Sequence, residues 1–344
     1  MTTTNKNKKY SYDQSIGSRE NYNNLKKLYK GREKNAVECP VCKSMNFEKF
    51  HRQIIRYNTD YWIEDDSLLQ CARCGTIQSE TIYPPGFYFD FINEFYGVSP
   101  GSVGIGSRIK SVHRQNFLIA ATFEKPFKIN TLLEISSFDG ATLDQLTKCF
   151  ECDGYGVEPT ATAVDLACTE YPHLADRMIT AVFEDSAERL KGLKFELIIA
   201  AHAFRQIAHP VKALDIIESV ISDDGYLMID EGCFLEDMLT YPNSELAYSL
   251  FQQKNYYYSQ TSLIYFLARR GFEFIANGCF HSAPGGQWLR RYSTLVFRRN
   301  PNAVADETYL AASKAASDTV IQRFRSVYKT PDETISAILE TGAS

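Results

Sequence analysis

Thr131-Leu-Leu-Glu-Ile-Ser-Ser-Phe-Asp-Gly-Ala-Thr142 is the stretch that decides the fold. Leu132 to Ile135 is an apolar run that reads as a strand buried on both faces. The chain then breaks into small and polar residues around Gly140 and resumes as an amphipathic helix, Leu143 to Phe150. Strand, tight turn and helix together set helix N-terminal amides beside a ligand. Gly140, having no Cβ, is expected to let backbone approach that ligand closely. Such a turn also occurs where nothing binds, so the stretch alone leaves both readings open.

The next strand sharpens the choice. Gly154-Tyr-Gly-Val-Glu-Pro159 is a short apolar piece ending in Glu158, 24 residues after Glu134. A carboxylate at the tip of the second strand is placed to accept both ribose hydroxyls of a nucleoside-containing cofactor. The spacing does not separate NAD from S-adenosylmethionine. The turn Ser136 to Gly140 holds one glycine, whereas a pyrophosphate is usually met by G-x-G-x-x-G. A cofactor without phosphates suits it better.

Glu134-Ile-Ser-Ser-Phe-Asp-Gly140, Gly156-Val-Glu-Pro159 and Ala200-Ala-His-Ala-Phe-Arg-Gln-Ile-Ala-His-Pro210 together resemble the class I S-adenosylmethionine-dependent methyltransferases. Within them the chain is most similar to the sugar C-methyltransferases that carry an N-terminal zinc module, over about Cys39 to Arg299. That family has an Asn-Asp-Gly turn after the first strand, and Phe138 stands where the Asn would be. The resemblance implies an α/β fold: a seven-stranded Rossmann-like methyltransferase sheet, a small N-terminal four-cysteine zinc-binding domain and a C-terminal helical extension. The expected divisions are 1–35 (disordered tail and short helix), 36–82 (zinc-binding module), 83–127 (aromatic and helical connector), 128–299 (S-adenosylmethionine-binding domain) and 300–344 (helical extension).

Bulk composition fits this. The 344 residues carry a net charge of −5, and 44% are hydrophobic, as expected of a globular protein with a real core. Overall charge gives no drive toward nucleic acid, and no apolar run nears the length of about 20 residues that crosses a bilayer. The start, Met1 to Lys9, has no apolar segment behind its lysines and is not a secretory signal. A cytoplasmic protein, monomer or homodimer, acting on a small molecule is expected, with its nine cysteines reduced or metal-bound. The basic residues Lys26, Lys27, Lys30, Arg32 and Lys34 read as a solvated face.

Cys39-Pro-Val-Cys42 and Cys71-Ala-Arg-Cys74 are two C-x-x-C pairs separated by 28 residues. Each pair bends backbone around one face of a metal, and the two complete a tetrahedral set of thiolates. Zinc suits such a closed structural site best, with a rubredoxin-type iron site as the alternative. Gln53 to Tyr57 and Leu68 to Gln70 read as strands of a small hairpin domain. A third pair, Cys149 and Cys152, ends a predicted helix and reads as packing. The aromatic stretch Tyr83 to Tyr96 reads as glue between the small and large domains. Gly101 to Gly106 follows no strand and reads as a hinge.

From Lys128 onward strand and helix alternate, with strands expected over 130–136, 154–158, 178–183, 195–200, 225–230, 272–277 and 292–298. Helices are expected over Ile109 to Phe123 and residues 301–326, with a short one from Pro331. Ligands of open parallel sheets bind at the carboxyl ends of strands, where strand order reverses. That gathers the 136–140 turn, Glu158-Pro159, Phe183 to Asp185 and Ala201-His202 around one crevice. The resemblance implies that Glu158 holds the ribose and that Phe183 and Asp185 frame the adenine. It implies further that Glu134, Ser136, Asp139, Gly140, Pro159 and Ala201 complete the cofactor site.

The sugar C-methyltransferases place a Tyr-His-Glu-His cluster just before a Ser-x-Thr-Ser-Leu stretch. Ser259-Gln-Thr-Ser-Leu263 is kept, but Phe251, Gln252, Gln253 and Lys254 occupy the cluster's positions. Methyl transfer needs a base when the acceptor loses a proton. The candidate catalytic residues are His202, Tyr257, His281 and Tyr96, the last matching the family's active-site tyrosines. Gln287 and Arg290, in a segment resembling the family's Gly-Gly-Ser-Leu-Arg, are candidates for the acceptor. With the His/Glu cluster gone, transfer to oxygen or nitrogen is at least as expected as transfer to carbon. A binding or scaffold protein with a vestigial methyltransferase fold is the alternative of another class, and an NAD enzyme the third.

Overall fold

The computed structural model describes residues 19–57, 60–87, 90–91, 128–231, 234–241, 246, 254–282 and 290–327, with no account of the side chains of 50–66, 280–282 and 290–292. The expected N-terminal tail, the helix over Ile109 to Phe123, the hinge Gly101 to Gly106 and the helix after Pro331 lie outside the described residues.

A first helix, α1 (Arg19–Tyr29), precedes the small domain. That domain contains β1 (Lys34–Asn35), β2 (Phe47–Tyr57), β3 (Asp60–Cys71), β4 (Ile77–Ser79) and β5 (Thr81–Ile82). The large domain follows with β6 (Thr131–Ile135), α2 (Ala141–Phe150), β7 (Asp153–Glu158), α3 (Ala161–Glu170) and β8 (Met178–Thr180). It continues through α4 (Ala187–Leu190), β9 (Phe195–Ala201), α5 (Pro210–Val220), β10 (Ile221–Glu231) and α6 (Leu235–Met238). Last come β11 (Tyr256–Tyr257), α7 (Gln260–Ala268), β12 (Phe272–Ser282), β13 (Arg290–Arg299) and α8 (Thr308–Val327).

The seven-stranded sheet has the order β12-β13-β10-β9-β6-β7-β8. Its five strands from β10 to β8 are parallel, and the β12–β13 hairpin closes it antiparallel. Leu132, Leu133, Leu197, Ile198 and Ile199 are all almost fully buried, because helices cover both faces of a parallel sheet. The strand expected over 178–183 stops at Thr180. There Glu184 Oε1 accepts the amides of Ala208 at 2.7 Å and His209 at 3.2 Å, which draws the chain out of the sheet into a single turn, Phe183–Asp185. Of the third cysteine pair, Cys149 is exposed, whereas Cys152 lies against the core beside α2.

The small domain is larger than a hairpin. Its sheet runs β11-β4-β3-β2, so a strand that comes after β10 in sequence completes it. One continuous apolar core takes in the four cysteines, Tyr22, Tyr83, Phe87 and Phe91 together with Leu133 and Ile198 of the large sheet. Tyr83 stacks on Phe87 at 4.0 Å, and Phe87 meets Tyr29 edge-on at 5.5 Å. These aromatics do join the two domains.

The C-terminal helix packs back on this chain. Ser313 Oγ donates to the Cys74 carbonyl at 2.5 Å, and Gln70 Nε2 donates to Ser317 Oγ at 2.9 Å. Gly75 has φ +73, and a Cβ there would lie 2.8 Å from both Lys314 Cα and Ser317 Cβ. Backbone cannot yield as a side chain does. Gly75→Ala should therefore push α8 off the small domain and cost about 1–3 kcal/mol, read as a lower Tm. An unchanged Tm would show that α8 is not seated there.

Candidate cofactor cleft and four-cysteine centre

The crevice lies at the carboxyl ends of β6 and β9, where strand order reverses from β6-β7-β8 to β9-β10. It is an open cleft walled by Ile135, Ser136, Val157, Pro159, Phe183 and Gln206, among others. Three non-glycine residues at its edge hold left-handed backbone: Ser136 (φ 60), Phe138 (φ 51) and His202 (φ 56). Each such residue costs on the order of 1 kcal/mol, and all three sit where chain leaves a parallel strand. Ser136 and Ser137 both donate amides to the Val157 carbonyl, at 2.7 and 3.3 Å, which pins the turn across the end of β7.

Glu158 is tied to that turn. Its Oε2 accepts the Phe138 amide at 2.9 Å and its Oε1 the Thr160 amide at 2.8 Å. Each oxygen keeps a second lone pair for a hydroxyl. The side chain is 3% exposed, and burial raises its pKa against the opposing pull of those amides. Glu134, inside β6, is equally shut in, and its Oε2 has no hydrogen-bond partner among the described residues. Burial, then the charges of Asp139 and Glu158, hold its carboxyl well above 4.5.

That raised value fixes a sign. The folded protein holds the Glu134 proton more tightly than the unfolded chain does. The stability it contributes is complete below the ordinary carboxylate pKa and is lost as pH rises through the raised one. The Tm of ligand-free protein should fall as pH rises from the ordinary carboxylate range through the raised value, and Glu134→Gln should flatten that fall and raise the Tm at the upper end. An unaltered slope in the variant would place the titration elsewhere.

Gly140 needs glycine because φ is +71 and because a Cβ would meet Ala167 Cβ of α3 at 2.9 Å. Asp139 is buried, with Oδ1 accepting the Ala141 amide at 3.3 Å at the start of α2. Asp185 points outward and pairs with Lys212 at 3.0 Å, its side chain 52% exposed, so it does not wall the cleft; Phe183 and Glu184 do. Ala201 ends β9 at half burial.

Of the catalytic candidates, His202 stands at the end of β9, its amide donating to the Asp230 carbonyl at 2.7 Å. Tyr257 is 1% exposed and pairs with Ile77 in the small sheet, a packing position rather than one that reaches the cleft. Tyr96 and Gln287 lie outside the described residues. His281 and Arg290 are described only as backbone, paired with Arg291 and Ser282 where the β12–β13 hairpin meets its connecting residues. Ser259-Gln-Thr-Ser262 serves as the N-terminal cap of α7, with reciprocal Ser259–Ser262 bonds.

Sequence reasoning missed the buried pair at the end of β10. Arg205 Nε lies 3.3 Å from Glu231 Oε2, and Glu231 Oε1 accepts the Phe204 amide at 2.8 Å. No short motif marks it, because one partner sits in the loop after β9 and the other at the end of β10.

The cysteines converge. Cys39, Cys42, Cys71 and Cys74 are all buried, with sulfurs within 4.8 Å of one another, a set able to hold a metal ion. Cys39 and Cys74, and likewise Cys42 and Cys71, are 3.5 Å apart. The two pairs fold alike: Lys43 donates to Cys39 O and Gly75 to Cys71 O, both at 2.9 Å, and both turn residues have positive φ.

Residues 111–277 match the family model described as a methyltransferase domain. No curated protein sequence matches the chain. Among solved structures it is similar to the N-methyltransferase NodS from Bradyrhizobium japonicum WM9 (12% identity, TM-score 0.42, 58% of this chain and 90% of that one). It is also similar to magnesium protoporphyrin IX methyltransferase (ChlM) from Synechocystis PCC 6803 (14% identity, TM-score 0.42, 63% and 99%). Likeness at these scores carries no argument about substrate or mechanism. No helix among the described residues is long and apolar enough to cross a membrane. That family match spans just under half of the chain and is to a methyltransferase domain.

Proposed function

We propose that the cleft at the β6–β9 switch point binds S-adenosylmethionine and that the protein methylates a small polar biosynthetic intermediate, a nucleotide-linked sugar or natural-product precursor. One observation carries the reading: the crevice is bounded by the strained turn after β6 and the strand tip that bears Glu158, and the two are hydrogen-bonded at 2.9 Å. In this reading Glu158 offers its free lone pairs to the ribose, Phe183 and Pro159 wall the adenine, and Ser136 and Ala201 border the methionine end. Glu134, which keeps its proton in the ligand-free protein, gives it up beside a cationic sulfonium, with Asp139 as the second carboxylate. Among described residues His202 is the candidate base, and the acceptor's methylated atom is oxygen or nitrogen as readily as carbon, since the family's His/Glu cluster is absent.

The four cysteines are proposed to hold structural zinc. Four thiolates at about 2.3 Å from zinc stand about 3.8 Å apart, and the observed separations of 3.5 Å, with all four sulfurs within 4.8 Å, accommodate that tetrahedron. Four protein ligands leave no open position, so the ion supplies folding energy and no chemistry.

Calorimetry with S-adenosylmethionine, S-adenosylhomocysteine and NAD tests the cofactor. Binding of the first two alone is expected; binding of NAD alone would overturn the assignment. Transfer of a labelled methyl group across a panel of sugar nucleotides, amines and phenols then tests the acceptor class. Tight cofactor binding with transfer to none of them would favour a catalytically inactive binding protein.

A further inference from the structure

We propose that Asn255 and Tyr256 are positioning residues through which the four-cysteine centre sets the affinity of the cofactor cleft, an inference that rests on the cofactor and metal readings above. The loop between β9 and α5 supplies Ala203, Gln206 and Ile207 to the cleft wall. It has no regular secondary structure, so its hydrogen bonds fix where that wall stands. Its amides are held by carboxylates of the large domain. Phe204 and Arg205 donate to Glu231 Oε1 at 2.8 and 3.4 Å, and Ala208 and His209 donate to Glu184 Oε1 at 2.7 and 3.2 Å.

Its carbonyls are held from the other side. The Arg205 carbonyl accepts the amides of Asn255 and Tyr256 at 3.1 and 3.2 Å. The Gln206 carbonyl accepts Asn255 Nδ2 at 2.5 Å, and the Ala208 carbonyl accepts the Tyr256 hydroxyl at 3.2 Å. Asn255 and Tyr256 are themselves clamped to the small domain. Tyr256 pairs with Gln78 and Tyr257 with Ile77 across β11 and β4, and Ser79 donates its amide to the Asn255 carbonyl at 3.0 Å and its hydroxyl to the Lys254 carbonyl at 3.0 Å.

The clamp begins at the metal site. Cys71 and Cys74 form the turn from which β4 departs, with the Cys71 amide on the Thr76 carbonyl at 2.9 Å and the Cys74 thiol on Thr76 Oγ1 at 3.2 Å. Losing order there frees β4, then β11, then three carbonyls of the cleft loop. A short strand with two paired residues cannot hold its register without a fixed neighbour. The coupling thus runs through one contiguous set of hydrogen bonds with the loop as the element both sites bias.

The test uses the full chain. Asn255→Asp keeps the side chain's shape and removes its donor to the Gln206 carbonyl; Tyr256→Phe removes only the hydroxyl. Each variant is expected to retain its metal, to bind S-adenosylmethionine about 5- to 10-fold more weakly, and to show faster amide exchange confined to residues 203–209. Wild-type protein treated with a chelator should show faster exchange in the same segment. Exchange there indifferent to chelator and to both substitutions, with cofactor affinity unchanged, would overturn the coupling. Wild-type protein that fails to bind S-adenosylmethionine would instead overturn the cofactor reading, while the exchange measurement still judges the connection between metal site and loop.

Discussion

Cys71→Ser is expected to yield a protein that carries no zinc, is cleaved by protease within residues 36–82, and melts far below the parent. The reasoning begins with the size of the small domain. Under 50 residues with little apolar surface cannot hold themselves folded, and such modules depend on a metal or a disulfide. Here Cys39, Val41, Cys42, Cys71 and Cys74 are among the residues at its centre, and the thiols occupy space that a larger core would give to side chains. Structural zinc contributes on the order of 10–16 kcal/mol to such a fold, comparable to the whole stability of a domain. Serine supplies no thiolate, so three ligands remain and the site opens. Metal analysis should fall from one equivalent to near none, and thermal unfolding should move in step. A variant that keeps the parent Tm while free of metal would sink the structural role of the centre. Iron in place of zinc in the parent would redirect the identity and leave the argument for folding intact.

Glu158→Gln carries the second large effect. The two carboxylate oxygens accept amides from opposite sides, Phe138 and Thr160. Glutamine offers one oxygen and one donor, so one of these amides would face an NH₂ group instead of an acceptor. The turn after β6 loses its tie or the ribose loses its acceptor, and either weakens the cofactor. A lost hydrogen bond to a charged group is worth about 1.5–3 kcal/mol, so affinity for S-adenosylmethionine should drop by about 10- to 150-fold. Circular dichroism and metal content should be unchanged, because the Glu158 hydrogen bonds run to Phe138 and Thr160 and not to the cysteine centre. Calorimetry reads the result directly, and undiminished affinity would remove Glu158 from the cofactor site.

Much of the architecture was legible because it follows local rules. The run Leu132 to Ile135 and the run Leu197 to Ala200 are apolar without alternation, as only strands buried on both faces are. The expected strand limits 195–200 and 292–298 meet the observed Phe195–Ala201 and Arg290–Arg299 to within two residues at each end. The third strand was drawn too long because Val182 and Phe183 are apolar, and apolar character does not say whether a residue enters a sheet or walls a cleft. Glu184 decides that by reaching two amides 24 and 25 residues away.

The site was legible in its parts and not in its connections. Two C-x-x-C pairs announced a four-sulfur centre because each pair is a self-contained turn, and its geometry is nearly independent of what surrounds it. Gly140 is the opposite case: its positive φ belongs to the local turn, but the neighbour that forbids a Cβ is Ala167, on another helix. Asp185 was drawn toward the cleft by resemblance and Tyr257 by its place after the lost cluster, and the structure sets one beside Lys212, half exposed, and pairs the other with Ile77 in the small sheet.

By itself the sequence determined the alternation of strand and helix, the cysteine set, and the acidic strand tip beside a tight turn, since period, spacing and turn chemistry act over a few residues. Only tertiary structure decided that β11 joins the small domain's sheet, that α8 closes over Gly75, and that Arg205 and Glu231 meet in the core. Those contacts join residues far apart in the chain. They form because buried hydrogen-bonding groups must find partners wherever the fold brings them, and no local pattern encodes which partner that is.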